Sequence, residues 1–251
     1  MLPILYRDER IVVVDKPSGL LVHRSPIDRH ERRFAVQMLR DQLGRRVYPA
    51  HRLDKGTSGA LAFALDREMA SALATAFAGR DVVKTYVAVV RGWPEESGVI
   101  DHELAAVQDE YMLPAETAAK PARTSYRRLA TVELPVRVDR YPTSRYALVE
   151  LRPENGRRHQ LRRHLAHVAH PIVGDSTYGK GRHNRLFADL YGVRRLMLAC
   201  TGLRFQHPAS GELLVISAAP GEEFASLAAR FGWPSPPVAS DVSRASVSPS
   251  P

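Results

Sequence analysis

The order of apolar and polar residues along the chain predicts strands and helices interleaved on one polypeptide. Apolar residues recurring three and four positions apart predict helices at 32–43, directly after Asp66, and at 159–168, 184–191 and 222–231. Asp66 is a suitable helix cap because its side chain can accept a backbone hydrogen bond. Short β-rich runs predict strands at 4–6, 11–15, 60–65, 82–90, 124–132, 145–151, 196–205 and 212–217. This mixture predicts an α+β fold with a mixed, mainly antiparallel sheet flanked by helices and loops.

Two stretches lack such patterns. Residues 101–121 are polar with few strand signals, which predicts a surface insertion or a long hairpin arm. Residues 234–251 consist mostly of Ser, Pro, Val and Ala, a composition typical of a disordered tail. We therefore predict one domain over 1–233, followed by that tail.

Composition narrows the class of protein. Lys and Arg number 36 against 27 Asp and Glu, a net charge of +9 that favours a polyanionic partner such as nucleic acid, although charge for solubility is an alternative. The single cysteine, Cys200, excludes an intramolecular disulfide and leaves no cysteine pair for zinc. Because no apolar run reaches 18 residues and acidic charge arrives at Asp8, we expect neither a membrane span nor a signal peptide, and hence a cytoplasmic protein.

The segment 51–59, His-Arg-Leu-Asp-Lys-Gly-Thr-Ser-Gly, places the carboxylate of Asp54 in a turn of small residues. Arg52 precedes it by two positions, and the predicted strand 60–65 follows. Such a turn can present a carboxylate at the mouth of a cleft. Asp in a turn also commonly accepts backbone hydrogen bonds, so a purely structural role stays open.

A second candidate is the strand at 82–90, where Lys84 and Tyr86 share one face because strand side chains alternate. Tyr86 is either a core residue or a phenol in a cleft, where it could stack on a base or handle a proton.

The highest density of basic and titratable side chains lies at 155–170, with four arginines and four histidines in sixteen residues. Gly156 is expected to end a strand and open a helix whose buried stripe is Leu161, Leu165 and Val168, leaving Gln160 and His164 on other faces. A basic helix start suits phosphate or carboxylate, and a solvated charged face is the alternative. His164 also recurs at intervals of three with two later histidines, but neither an HExxH pattern nor a cysteine supports a metal site.

These motifs, in this order, resemble the RluA-type pseudouridine synthases from about residue 3 to 233. The family's HRLD-x-x-TSG motif corresponds to 51–59, its Lys-x-Tyr strand to 84–86, and its Gly-Arg-x-His-Gln-Leu-Arg motif to 156–162. The segments 21–25, 140–146 and 157–167, and a start without an S4 RNA-binding domain, are most similar to the TruC branch, the tRNA pseudouridine-65 synthases.

The resemblance implies an isomerase that converts one uridine of RNA to pseudouridine, with uridine 65 of tRNA as the expected target. It implies the pseudouridine synthase catalytic fold and RNA as the partner. We also expect a monomer without an obligate protein partner, and no metal. No cofactor is needed because the isomerisation neither adds nor removes atoms. The same reaction on rRNA, a non-catalytic RNA-binding protein and a zinc-dependent RNA enzyme are the alternatives.

The resemblance also assigns roles. Asp54 corresponds to the nucleophile, which attacks either C6 of the base or C1′ of the ribose, and Arg162 to its ion-pair partner. Tyr86 corresponds to a residue that stacks on the flipped uracil and could take a proton, and Leu198 to one that packs the base from below. Arg52 corresponds to the side chain that fills the space vacated in the RNA. The remaining expected substrate contacts, mostly to phosphate, are Arg157, Arg158, His159, Arg163 and His164.

Overall fold

A computed structural model describes residues 1–24, 30–79, 81–105 and 118–235. Its described part holds ten strands in one sheet, of order β1-β2-β4-β9-β5-β8-β7-β6, with β3 paired to β4 and β10 to β9. The strands are β1 (Ile4–Arg7), β2 (Ile11–Lys16), β3 (Tyr48–Pro49), β4 (Ser58–Ala64), β5 (Val83–Arg91), β6 (Ser97–Asp101), β7 (Arg123–Leu134), β8 (Ser144–Pro153), β9 (Leu198–Gln206) and β10 (Leu213–Ser217).

Five helices lie among the described residues and flank this sheet. They are α1 (Ala35–Leu43), α2 (Arg67–Ala78), α3 (Gln160–His167), α4 (Gly181–Tyr191) and α5 (Glu222–Phe231). The predicted cap of α2 is confirmed, since the Asp66 side chain accepts from the backbone N–H of Met69 at 2.8 Å. The fold is the predicted α+β class with a mainly antiparallel sheet, in which β4 and β9 pair in parallel.

The centre of the sheet carries the core. All seven residues of β4 are buried, and so are seven consecutive residues of β5. Strands covered on both faces read as continuous apolar runs, which is why these two segments stood out in the sequence. The buried centre anchors the turns that surround it.

The predicted helix at 159–168 is confirmed as α3 (Gln160–His167), but the prediction that Gly156 opens it was wrong. Strand β8 ends at Pro153, Gly156 lies in a loop, and the helix begins at Gln160. The amide of Gln160 donates to the Arg123 carbonyl at 3.0 Å and to the hydroxyl of Thr124 at 3.1 Å. These contacts bury Gln160, contrary to the sequence-based expectation.

Strands β3 and β6 were not predicted. Strand β3 has two residues, and β6 (Ser97–Asp101) buries only one of its five, Ile100. Both are defined by pairing with β4 and β7 and not by a local apolar pattern. Part of the predicted 101–121 arm and nearly all of the predicted tail lie outside the described residues.

Candidate active site

The turn that carries Asp54 is held by backbone and lysine hydrogen bonds. The N–H of Thr57 donates to the Asp54 carbonyl at 3.1 Å, and the N–H of Gly19 donates to the Lys55 carbonyl at 2.8 Å. The Lys16 ammonium donates to the same Lys55 carbonyl at 3.3 Å. Burial lowers the pKa of Lys16 to about 7, with Asp54 opposing the shift. The loop at 16–19 therefore stabilises the turn that carries Asp54.

Glycine at position 59 lets two strands meet beneath this turn. Gly59 has a φ of +106°, and a Cβ there would lie 2.0 Å from the carbonyl oxygen of Cys200. A side chain is thereby excluded, and β4 can pair with β9 at Gly59 and Cys200. On its other edge, Cys200 pairs with Tyr86 of β5. This close approach places the Asp54 turn, Tyr86 and Leu198 at one site.

Asp54 and Arg162 form the predicted ion pair. Nη1 of Arg162 lies 3.3 Å from Oδ2 of Asp54, and the Asp54 side chain keeps 26% of its surface exposed. The other two nitrogens of the guanidinium, Nε and Nη2, donate to the carboxylate of Asp175 at 2.7 and 2.8 Å. Burial alone would raise the pKa of Asp175, but bonds from Arg162 and the Tyr178 N–H hold that pKa below its usual range. Asp175 therefore orients the arginine while it stays ionised.

Tyr86 is a neutral phenol in this setting. Its side chain is buried, and that burial raises its pKa well above the ordinary value of 10.0. Lys84 is buried as well, and burial lowers its pKa. Both residues line one groove, in agreement with the predicted shared face.

Most predicted site residues surround one small cavity of about 90 Å³, which shares much of its lining with a groove of about 750 Å³. Arg158 lines only the wider groove and not the small cavity. Arg52 is exposed at the rim, and Leu198 is buried. The predicted residues that line the small cavity are Arg52, Asp54, Tyr86, Arg157, His159, Arg162 and Leu198.

His164 lies elsewhere and is fully buried. Its Nδ1 is 3.0 Å from the Thr124 hydroxyl and its Nε2 is 3.1 Å from the His102 carbonyl. Both ring nitrogens are thus occupied inside the protein, so the expected phosphate contact at His164 was wrong. His164 lies one turn after Gln160 on the same buried face of α3, a face that the predicted stripe did not include. Arg163 lines neither cavity and donates to the Ala105 carbonyl at 2.9 Å.

The three histidines of the metal alternative do not converge. His170 directs Nδ1 to the Arg91 carbonyl at 2.9 Å, and the His164 nitrogens are engaged as described. Across the described ranges, no three His, Cys, Asp or Glu side chains are close enough to hold a metal ion. In the same part of the chain, no helix is both long and apolar enough to cross a bilayer.

Three residues of the site had no assigned role in the sequence-based prediction: Asp175, Tyr178 and Lys16. Asp175 and Lys16 lie in the segments 170–175 and 16–19. Both segments also resemble segments of the family, and this resemblance is the only sequence signal for the two residues, although it assigns no chemistry to either. Tyr178 lies 3.0 Å from His159 and faces Arg162, contacts that only the folded chain brings about.

Residues 10–167 match the model of a known family, described as RNA pseudouridylate synthase. The chain belongs to that family. Membership confirms the predicted resemblance and the enzyme class, a pseudouridine synthase. The matched range includes Asp54, Tyr86 and Arg162, which the structure brings together at one cavity.

Individual relatives agree with this assignment. The tRNA pseudouridine synthase C of Vibrio cholerae is 49% identical over 237 residues, covering 93% of this chain and 97% of its own. The protein of the same name from Yersinia pestis is 47% identical, covering 93% and 92%.

Two solved human structures share the fold. RNA Pseudouridylate Synthase Domain Containing 4 has a TM-score of 0.67 and 29% identity, covering 94% of this chain and 95% of that one. Domain Containing 1 has a TM-score of 0.67 and 27% identity, covering 89% and 84%.

Proposed function

We propose that this synthase converts a uridine of tRNA to pseudouridine with Asp54 as the nucleophile. The observation that carries the mechanism is the Asp54–Arg162 ion pair at a cavity also lined by Tyr86 and Leu198. Relatives named tRNA pseudouridine synthase C, 47–49% identical over more than nine tenths of the chain, support tRNA as the substrate. Uridine 65 as the target rests on the branch resemblance, and cytoplasmic location and a monomeric state stay predictions.

The reaction needs a nucleophile and a proton relay but no redox change. The N1–C1′ bond breaks and a C5–C1′ bond forms, while a proton leaves C5 and one is taken up at N1. An ionised carboxylate can attack C6 or C1′ and leave again. Arg162 orients Asp54 through their ion pair, and the partial exposure of Asp54 lets a flipped base reach it.

Tyr86 and Leu198 suit the two faces of a flipped base. A neutral phenol ring can stack on uracil without any change in protonation. Proton abstraction by Tyr86 would need a phenolate, which its raised pKa disfavours at neutral pH, or a strongly acidic intermediate. The stacking role is therefore the one that the burial of Tyr86 supports.

Basic side chains at the rim suit the RNA backbone. Flipping a base costs a few kcal/mol of stacking, and the exposed Arg52 is placed to fill the space left behind. Arg157 and Arg158 line the groove and are proposed to contact phosphates, with His159 nearer the base. Arg163, which lies outside both cavities, is proposed as a more distant phosphate contact. Phosphate contacts position RNA but read little of its sequence.

The substrate can be tested directly. Purified protein is incubated with unmodified tRNA and rRNA, and pseudouridines are mapped by carbodiimide-blocked primer extension. We expect a new stop at position 65 of tRNA and none in rRNA. A stop only in rRNA would overturn the tRNA assignment, and no stop in either would favour a non-catalytic RNA-binding protein.

We expect Asp54→Asn to abolish pseudouridine formation while RNA affinity stays within several-fold, because the amide cannot act as the nucleophile. The matched control is Asp101→Asn, which neutralises a largely exposed carboxylate on β6 and should leave turnover unchanged. Turnover comes from tritium release and affinity from filter binding. Product formed by purified Asp54→Asn enzyme would refute the nucleophile assignment.

A further inference from the structure

His159 has an unusual backbone at the start of α3. Its φ of 55° is left-handed, a conformation that only one other non-glycine residue of the described chain, Ala169, shares. Such a conformation is strained for a residue with a side chain and persists only where the surroundings enforce it. The enforcing contacts are a bond from the Gln160 N–H to the Arg157 carbonyl and one from the Arg157 N–H to the Gln160 side chain, at 3.1 and 3.0 Å.

The strained backbone places the imidazole between a phenol and the nucleophile. Nδ1 of His159 lies 3.0 Å from the Tyr178 hydroxyl, and Nε2 lies 3.9 Å from Oδ1 of Asp54. Arg162 meets the opposite carboxylate oxygen, Oδ2, and its guanidinium also lies over the Tyr178 ring, 5.0 Å from the centroid. Both oxygens of Asp54 therefore face a nitrogen, one from Arg162 and one from His159.

The charges around His159 favour one tautomer. Burial lowers its pKa below the ordinary 6.5, with Asp54 and Asp175 opposing and Arg158 and Arg162 adding to the shift, so the ring is neutral at neutral pH. If Nδ1 carried the proton, the lone pair of Nε2 would face a carboxylate and be repelled. A proton on Nε2 is attracted by Asp54 instead and leaves Nδ1 to accept from the Tyr178 hydroxyl.

We propose that Tyr178 and His159 form a positioning pair for the nucleophile. Tyr178 donates to Nδ1 and fixes the proton on Nε2. This N–H attracts Oδ1 of Asp54 across 3.9 Å, a distance longer than a hydrogen bond, while Arg162 holds Oδ2 at 3.3 Å. The proposal rests on Asp54 being the nucleophile, as in the proposed function. Protonation of His159 breaks the pair, because Nδ1 can then no longer accept the hydrogen bond from the Tyr178 hydroxyl. It also places a full positive charge beside Asp54.

Kinetics of three variants and one control variant test the pair. We expect Tyr178→Phe to lower kcat about tenfold with KM unchanged, the effect of removing one hydrogen bond, and Tyr141→Phe, at an exposed tyrosine, to change neither. His159→Gln keeps an N–H near the Nε2 position and should retain most activity, whereas His159→Leu should not. His159→Gln and His159→Leu both place a side chain at the left-handed φ of residue 159. The difference in activity between them therefore reports the loss of the N–H. Equal losses in both, or an unchanged kcat in Tyr178→Phe, would overturn the proposal.

The pH profile gives a second readout. Activity should fall as the pH drops through the His159 pKa, below 6.5, because the imidazolium no longer accepts from Tyr178. In His159→Gln this acid limb should move to lower pH. An acid limb that stays at the same pH in that variant would exclude His159 from control of the nucleophile.

The tautomer can be measured without turnover. Nitrogen NMR of histidine-labelled protein should show neutral His159, identified by its absence in His159→Gln, with the proton on Nε2, and a mixture of tautomers in Tyr178→Phe. A proton on Nδ1 in the unmodified protein would overturn the proposal. Failure of the unmodified enzyme to act on tRNA would count against the proposed function alone, since the NMR result decides the pair independently.

Discussion

At the scale of single residues, one guanidinium serves two carboxylates. Arg162 directs Nε and Nη2 to Asp175 and has Nη1 left for Asp54. A planar fork can bind one carboxylate with two nitrogens and still present another, which a lysine cannot do. The Asp175 side chain is fully buried whereas Asp54 is partly exposed, so the first carboxylate anchors the arginine and the second is available to substrate.

We expect Asp175→Asn to lower kcat about tenfold, because an amide holds Arg162 with weaker bonds than a charged carboxylate does. It should also lower Tm, since a buried arginine loses its compensating charge. Asp54→Asn should abolish activity but leave Tm nearly unchanged, because Asp54 is partly exposed. Calorimetry and turnover on both variants check this contrast, and full activity in Asp175→Asn would contradict it.

At the scale of elements, the site depends on the parallel pairing of β4 and β9. That pairing brings the turn before β4 next to the first residue of β9, Leu198. Gly59 permits it because a Cβ would collide with the backbone of Cys200. The glycine of the 51–59 motif thus acts through sheet geometry, while Asp54 acts through chemistry.

We expect Gly59→Ala to destabilise the protein by about 1–3 kcal/mol more than Gly44→Ala does, the range for overpacking a core. Gly44 is the matched control because its φ is also positive, at +67°, but nothing lies within 4 Å of a Cβ there. Urea unfolding of the two variants gives the difference. Equal free energies of unfolding would show that backbone conformation alone requires glycine at position 59.

The start of α3 shows where local pattern stops being informative. Helical spacing predicted a helix at 159–168, close to the observed Gln160–His167, but glycine does not open it and the spacing did not identify its buried face. Its first residue is held by Thr124, which lies 36 positions away in the chain. A contact of that separation leaves no trace in local periodicity, and the burial of Gln160 and His164 was therefore missed.

At the scale of the whole molecule, part of the positive charge behind the net +9 lies beside the proposed active site. Arg52, Arg157 and Arg158 line the groove beside Asp54. Composition alone left solubility charge as an equal explanation. The placement of these arginines around one cavity favours binding of a polyanion as the reason for the charge, because cations at a cleft concentrate an anionic substrate there.

We expect the Arg157→Gln, Arg158→Gln double variant to flatten the salt dependence of RNA binding. Each arginine that pairs with a phosphate contributes about 0.7–0.9 to the slope of log K against log salt, so its replacement should reduce the slope by that amount. Arg40→Gln on α1 removes an exposed arginine that lines neither cavity and should leave the slope unchanged. Filter binding across a salt series measures this, and an unchanged slope in the double variant would move the phosphate path elsewhere.

Local sequence was enough to predict most of the regular elements, the basic charge and the order of the family motifs. Burial patterns and helical spacing depend on near neighbours, so 60–65 and 82–90 could be identified as strands before the fold was known. Asp54, Tyr86 and Arg162 were named as a set only through the family resemblance, because spacing alone left Asp54 open as a structural turn residue.

Which side chains meet was decided by the folded chain, and only the Asp54–Arg162 pair had been predicted, through the family resemblance. Arg162 reaches Asp54 across 108 positions, and Asp175 and Tyr178 complete the site from a segment to which no chemistry had been assigned. The same fold removed His164 from the surface by giving both its ring nitrogens internal partners. The physical reason is that sheet order, set by the packing of the whole core, brings distant segments together, whereas the sequence pattern reflects only what lies nearby.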